Sequence, residues 1–368
     1  MDILVTGADG FIGRNLCVAL GEGQGFRVLP ITRGSTSQDL REAVSRADAV
    51  VHLAGVNRPT DPADFAKGNA DFTATLCEAL VSDGRAIPVA FASSVQAEQD
   101  NPYGESKRRA EAHLTDYGMR SGAPVALYRL ANVFGKWSRP NYNSAVATFC
   151  YNIARGLPIR IDNADASLRL VYIDDVVAEL VRFLAEPGAG VVQASAGPVY
   201  ETTVGDLARQ IEAFRDVRTT LMTERVGTGL TRAIYATYVS FLPPEAFSYE
   251  VPKYGDARGV FVEMLKTPDC GQFSFFTAHP GITRGGHYHH SKTEKFLVIR
   301  GKARYRFRSL LTNEIFEVES SGESPLVVET IPGWAHDITN IGDDELIVML
   351  WANEVFDRDR PDTIASKV

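Results

Sequence analysis

Along the first two-thirds of the chain, short apolar runs alternate with longer stretches in which apolar residues recur every three or four positions. The runs are DILVTG (2–7), FRVLPIT (26–32), AVVHLAG (49–55) and PVAFASS (88–94). Helical spacing between them predicts helices over 11–20, near 38–46 and over 69–80. Strands that are apolar on both faces, each followed by an amphipathic helix, are the sequence form of βαβ units. Residues 1–243 are therefore expected to form an α/β domain of the Rossmann type, a doubly wound parallel sheet.

The pattern changes after LPPEAFSYEVPKYGD (242–256), which holds three of the eighteen prolines and shows no clear period, so a domain boundary is placed there. Beyond it, VFVEMLK, GQFSFFTAHP, EKFLVIRG, ARYRFRS, PLVVETIP and DELIVMLWAN are short and rich in β-branched and aromatic residues, with Gly, Pro, Asn or Asp between them. This is the texture of an all-β sandwich or barrel, expected over 247–368.

Charge and cysteine usage narrow the classes of function. A net charge of -8 without any Lys/Arg run argues against a nucleic-acid surface. The four cysteines (Cys17, Cys77, Cys150, Cys270) are scattered and form no CxxC pair, which fits free thiols in a reducing compartment. Met1 runs directly into a strand, and no apolar run reaches the roughly 18 residues of a membrane span. A cytoplasmic protein with no membrane partner is expected.

The run TGADGFIG places Gly7, Gly10 and Gly13 between the first strand and the first helix. Glycines there let the main chain approach a pyrophosphate seated on the positive helix terminus, so a dinucleotide is the expected ligand. The second strand ends in Arg33, with no Asp or Glu to accept a ribose hydroxyl, which favours NADPH over NADH. In NPYGESK, Tyr103 and Lys107 stand four apart; on a helix they share a face, where the ammonium can lower the phenol's pKa and poise it for proton exchange. Ser93 or Ser94, ending the preceding strand, can position the same oxygen.

Taken in order, TGADGFIG, HLAG (52–55), Asn69, FASS, YGESK, YRLANVFG (128–135) and VYIDDV (171–176) resemble the extended short-chain dehydrogenases/reductases that act on nucleotide sugars. The resemblance implies Ser94, Tyr103 and Lys107 as the catalytic trio. It implies cofactor contacts from Gly7, Gly10, Phe11, Ile12, Gly13, Leu53, Ala54 and Gly55, and a sugar-nucleotide pocket that includes Asn132, Asn143, Ser144 and Arg169. Only nine positions separate Ser94 from Tyr103, where that family has more than twenty.

Three of the seven histidines fall in GGHYHH. On a strand His287 and His289 share a face and His290 takes the other; Glu294 follows, and His336 lies in PGWAHDITN. Three imidazoles and a carboxylate are a divalent-metal set, with zinc, iron, manganese and nickel all chemically suitable and zinc expected. The spacing of these residues resembles the two cupin motifs, which implies a cupin barrel with His287, His289, Glu294 and His336 as ligands. GDARGVFVE (255–263) and ITRGGHYH also resemble segments of the deoxyhexulose-nucleotide epimerases, which implies substrate contacts from Arg258 and Arg284 and makes His287 the base. A histidine whose lone pair holds a metal is a poor base, so Tyr288, Lys292, Lys302 and Asp337 stay open as proton carriers.

The order of the two halves, with NYNS (141–144) and RPDT (360–363), resembles bifunctional bacterial enzymes of capsule and O-antigen precursor synthesis. That implies inversion at carbon three of a UDP-linked 2-acetamido-2,6-dideoxy-4-keto-hexose in the second domain, then NADPH reduction at carbon four in the first. UDP-2-acetamido-2,6-dideoxy-L-talose would result, on the way to UDP-N-acetyl-L-fucosamine, and a homodimer is the expected assembly. A reductase whose cupin domain only stabilises a dimer is the alternative, and a non-catalytic sensor is disfavoured because a sensor needs no Tyr103.

Overall fold

A computed structural model describes residues 1–23, 25–256, 259–262, 264–265, 267, 271–354 and 359–368. Two compact units divide the chain, one comprising 1–137 and 168–201, the other 138–167 and 202–368.

The first unit begins with β1 (Asp2–Thr6), α1 (Phe11–Glu22), β2 (Arg27–Ile31), α2 (Ser37–Arg46) and β3 (Ala49–His52). A short helix α3 (Ala63–Phe65) and a π-helical turn over Ala66–Asp71 precede α4 (Phe72–Asp83), so the helix predicted over 69–80 is entered through an irregular turn that contains Asn69. Next come β4 (Val89–Ser94), α5 (Pro102–Ser121), β5 (Val125–Leu130), β6 (Asn132–Phe134), α6 (Ala145–Ala154), β7 (Ser167–Tyr172), α7 (Ile173–Ala185), β8 (Val191–Ala194) and β9 (Val199–Thr203). Strands in the order β2-β1-β3-β4-β5-β8 form one parallel sheet, the expected Rossmann-like arrangement. Leu40 and Val44 of α2, Leu76 and Leu80 of α4 and Leu114 of α5 pack with Leu4, Val50 and Phe91 of the sheet in one buried cluster. Two helices start where the sequence supplies a cap: Thr36 and Asp39 form a capping box at α2, and Asn101 caps α5 with Pro102 in its first turn.

The second unit contains α6, α8 (Val204–Thr220) and α9 (Gly229–Ser240) together with an all-strand part: β10 (Ser248–Glu250), β11 (Lys253–Asp256), β12 (Gly259–Val262), β13 (Gln272–Ala278), β14 (Thr283–Tyr288), β15 (Glu294–Arg300), β16 (Lys302–Ser309), β17 (Ile315–Ser321), β18 (Leu326–Glu329), β19 (Trp334–Asn340), β20 (Leu346–Ala352) and β21 (Ile364–Ala365). Two five-stranded antiparallel sheets result, β10-β18-β15-β20-β13 and β17-β16-β19-β14-β21. The prolines of the predicted boundary do not exclude strands, since β10 and β11 form within it.

Helices and strands of this unit meet at a buried ionic junction. Glu329 of β18 accepts hydrogen bonds from Lys295 of β15, from Arg218 of α8 and, at 3.4 Å, from the Tyr235 hydroxyl of α9. Lys295 also reaches the Tyr249 hydroxyl at 3.2 Å. Burial alone would raise the Glu329 carboxyl, but Lys295 and Arg218 hold it below its ordinary value.

Among the described residues, no helix is long and apolar enough to cross a membrane.

Candidate functional site

The first unit carries the glycine turn and the residues expected to exchange a proton. Gly7 adopts φ +67, and a Cβ there would lie 2.8 Å from Ala54 N; one on Gly13 would lie 2.1 Å from Gly7 O. Only glycine fits, and the closeness brings the β1–α1 turn against the loop after β3. α1 has no side-chain cap and no acidic residue in its first turn, so its leading N–H groups, starting from Phe11, Ile12 and Gly13, are available to an anion.

The loop after β3 is pinned by polar side chains. Thr6 Oγ1 accepts from Leu53 N and Ala54 N, both at 3.2 Å, which leaves its proton for His52 Nδ1 at 2.6 Å. His52 Nε2 then donates to Thr73 Oγ1 at 2.9 Å, because that hydroxyl donates to Asn69 O. Burial, with the Lys107 charge, pushes the His52 imidazole down to about 3, so it stays neutral in this relay. Asn69 grips Val56 through both N (2.8 Å) and O (3.0 Å) and donates to Ser106 Oγ (2.9 Å), whose proton goes to Tyr103 O (2.7 Å). The π-helical turn thus ties the cofactor-side loop to the helix that holds Tyr103.

Sequence spacing left Ser93 and Ser94 as alternatives, and the structure separates their surroundings. Ser93 donates to Glu111 at 2.5 Å, and Glu111 is itself clamped by Arg129. Ser94 instead faces the Tyr103 phenol and lowers its pKa. Nine positions suffice for this because a single 3₁₀ turn, Val95–Glu98, leads from β4 into the Asn101 cap. Lys107 is buried, donates to Ala92 O at 3.0 Å and sits 4.9 Å over the Phe91 ring. Burial pushes it down to about 8, against the pull of Glu111. The expected lowering of the phenol by Lys107 is not what the structure shows: burial pushes Tyr103 up, and Ser94 is what opposes it.

Other residues expected to contact ligands lie as follows. Arg33 is exposed in the turn after β2. Asn132 opens β6, is exposed and donates to Arg169 O at 3.1 Å; Arg169 is also exposed, 3.9 Å from Glu201. In the second unit, Asn143 is exposed and Ser144 caps α6 through Ala147 N at 3.2 Å. Arg258, like Cys270, lies outside the described residues.

The second unit brings His287, His289, Glu294 and His336 together, with one ligand atom of each within 4.8 Å of all the others. Register explains how. A shift between Gly285 and His287 sets His287 opposite His336 across the β14–β19 ladder, with ring centroids 4.8 Å apart. His289 lies just past β14, 5.0 Å from His287 and 5.2 Å from His336, while His290 turns away toward Tyr288. Glu294 Oε2 lies 3.1 Å from His289 Nε2 and 3.7 Å from His336 Nε2.

Asp362 orients this set from the chain's last segment. Its carbonyl accepts from His289 Nδ1 at 2.5 Å, which leaves Nε2 turned toward Glu294. Its carboxylate accepts from the N–H groups of His290, Ser291 and Lys292 at 2.9, 2.9 and 2.7 Å. Burial, helped by the neighbouring imidazoles, pushes His287 down to about 4; burial also lowers His336, whereas the facing imidazoles hold Glu294 well below its ordinary value. An ionised Glu294 facing His287 and His336, both biased to the neutral imidazole, suits a divalent cation, and His336 Nε2 is buried with no hydrogen-bond partner among the described residues. The residues fit a metal.

His287, Glu294 and His336 line a cavity of about 200 Å³ together with Phe276, Arg284, Phe296, Tyr305, Phe307, Asp337 and Leu350. Of the four open proton carriers only Asp337 lines it, and both its oxygens receive the Arg306 guanidinium, at 3.2 and 2.7 Å. Lys292 stands 3.5 Å from Glu294, Tyr288 is buried and Lys302 is exposed, none of them among the lining residues. Sequence reasoning missed Tyr305 and Asp362; RPDT was the one trace of the latter.

Residues 3–196 match the NAD dependent epimerase/dehydratase family, and residues 254–364 match the polysaccharide biosynthesis C-terminal domain. The chain belongs to the NAD dependent epimerase/dehydratase family. Membership implies a nicotinamide cofactor, for which the glycine cradle is suited. The chain is 58% identical over 368 residues to the UDP-2-acetamido-2,6-beta-L-arabino-hexul-4-ose reductase of Pseudomonas aeruginosa, covering 100% of this chain and 99% of that protein. Among solved structures it is similar to the capsular polysaccharide assembling protein CapF from Staphylococcus aureus, with 39% identity, a TM-score of 0.69 and full coverage of both chains. CapF with the inhibitor 3-isopropenyl-tropolone matches at 34% identity with a TM-score of 0.64, again over both full chains.

Proposed function

We propose that this chain is a bifunctional nucleotide-sugar enzyme. A cupin domain over 247–368 inverts C3 of a UDP-linked 2-acetamido-2,6-dideoxy-4-keto-hexose. A reductase domain over 1–243 then reduces C4 with NADPH, giving UDP-2-acetamido-2,6-dideoxy-L-talose. The observation that carries the reductase half is Tyr103 one helical turn from buried Lys107 with Ser94 facing its phenol, in a chain that matches a hexul-4-ose reductase along its whole length. The assembly proposed is a cytoplasmic homodimer.

In the first domain, Gly7, Gly10 and Gly13 would hold the cofactor's pyrophosphate, with Leu53, Ala54 and Gly55 along its flank; the bound cofactor would supply a hydride. Tyr103 supplies the proton for the C4 oxygen, and Ser94 positions that oxygen. Lys107 places a cation one helical turn along. Asn132, Asn143, Ser144 and Arg169 would serve the sugar nucleotide. Arg33 would face the ribose phosphate, so Arg33→Asp is expected to weaken NADPH binding far more than NADH binding, as titration with both cofactors would show. Equal losses would remove Arg33 from phosphate recognition.

In the second domain, His287, His289, Glu294 and His336 would hold a divalent cation, zinc by their ligand types, and such an ion supplies Lewis acidity beside the cavity. The tropolone on CapF supports this reading, because a tropolone offers two adjacent oxygens to a cation. Arg284 and Arg258 would contact the sugar nucleotide.

The test is incubation of the full chain with the 4-keto sugar in heavy water without NADPH, followed by mass spectrometry. Deuterium at C3 is expected, with loss of exchange after chelation. Reduction without any exchange would favour a reductase whose second domain serves only to stabilise a dimer.

A further inference from the structure

Tyr305 plays no part in the chemistry described so far. On β16 it alternates with Arg304 and Arg306, which are half-buried, and faces the interior together with Ala303 and Phe307. Its side chain is 2% exposed and lines the same cavity as His287, Glu294 and His336, and its ring packs 6.0 Å from Phe296. The hydroxyl has no hydrogen-bond partner among the described residues.

An unpaired buried hydroxyl weakens a fold, and a phenylalanine would fill the same space without that cost. The neighbouring wall is made of such residues, Phe276, Phe296, Phe307 and Leu350. A phenol in that wall therefore has a use outside packing. Register shows where it points: Phe307 pairs with His336, which pairs with His287, and Tyr305 lies one rung along, opposite Ile338. One rung is two residues, about 7 Å. The hydroxyl and the imidazole row thus come off adjacent rungs of one sheet, and the cavity extends along both.

We propose that the Tyr305 hydroxyl donates a hydrogen bond to the C4 keto oxygen of the sugar and holds it as charge develops there; this rests on the C3-inversion reading above. In that step the C3–H bond breaks, its electron pair becomes a C3–C4 double bond, and O4 takes the charge. Solvent water accepts the proton and returns one to the opposite side of C3. Burial pushes the phenol well above its ordinary value, so at neutral pH it acts as a donor and not as a base. A preorganised donor aimed at a developing oxyanion contributes on the order of 10²- to 10³-fold in rate.

The test compares the full-length parent with Tyr305→Phe, both metal-loaded, in heavy water with the 4-keto sugar and no NADPH. Deuterium incorporation at C3 should fall about 10²- to 10³-fold, while Tm stays equal or rises. Exchange within about threefold of the parent would show that the phenol is no donor to O4. A lowered Tm accompanying the loss would show a packing role and overturn the proposal in the same way. Absence of exchange in the parent would remove the C3-inversion reading, and Tyr305's role with it.

Discussion

Tyr103→Phe is expected to leave cofactor binding nearly intact while ketone reduction falls by two or more orders of magnitude, the scale of a lost general acid. Phe preserves what the ring does structurally: it packs 5.5 Å from Phe65, in a helix whose start is fixed by Asn101 and Pro102. Only the phenolic hydroxyl facing Ser94, with its transferable proton, is removed. Cofactor titration and NADPH oxidation with the 4-keto sugar separate binding from turnover. Turnover near the parent rate would exclude Tyr103 from the mechanism.

Glu329→Ala is expected to destabilise the second unit by about 3–5 kcal/mol, measured by denaturant unfolding, because Lys295 and Arg218 would be left charged around a missing carboxylate. Both sit in a shell that includes the Tyr235 and Tyr249 hydroxyls, and neither phenol can replace the charge. Replacing Lys295, Glu329 and Arg218 together with Met, Leu and Met should cost far less, since no ion is then left buried without its partner. A single-variant loss below about 1 kcal/mol would show that water reaches the pair and relieves it.

How much of this could be read from the chain depends on how local the signal is. Glycine turns, alternating strands and helical spacing act within a dozen residues, so the parallel sheet, the strand-rich second half and the place of Gly7, Tyr103 and Lys107 were all legible. So was the set His287, His289, Glu294 and His336, because two short segments carry it. Serine choice was not, since Ser93 and Ser94 differ only in which face of β4 they occupy and in what waits there: Glu111 for one, Tyr103 for the other. Lys295 and Glu329 were not singled out, because each is compensated by the other from a separate strand and Glu329 also by Arg218 of α8, far earlier in the chain. Tyr305 was hidden by its neighbours, since a strand of alternating Arg and apolar residues looks fully explained by one wet face and one dry one. Tyr103 was located but its electrostatics were not, because burial, which no spacing reveals, raises the phenol and Ser94 is what opposes it.

Asp362 and β21 set an order of events during synthesis. Ribosomes deliver the chain amino end first, and His287, His289, Glu294 and His336 all emerge before the residue whose carbonyl fixes the His289 tautomer. β21, which pairs with His287 and Tyr288, comes later still. His287, Glu294 and His336 are placed by their own strand pairings, so His289 is the ligand whose aim waits for residue 362. A message truncated shortly before residue 362 would leave His287 and His336 set by their ladder and His289 without the carbonyl that fixes its tautomer.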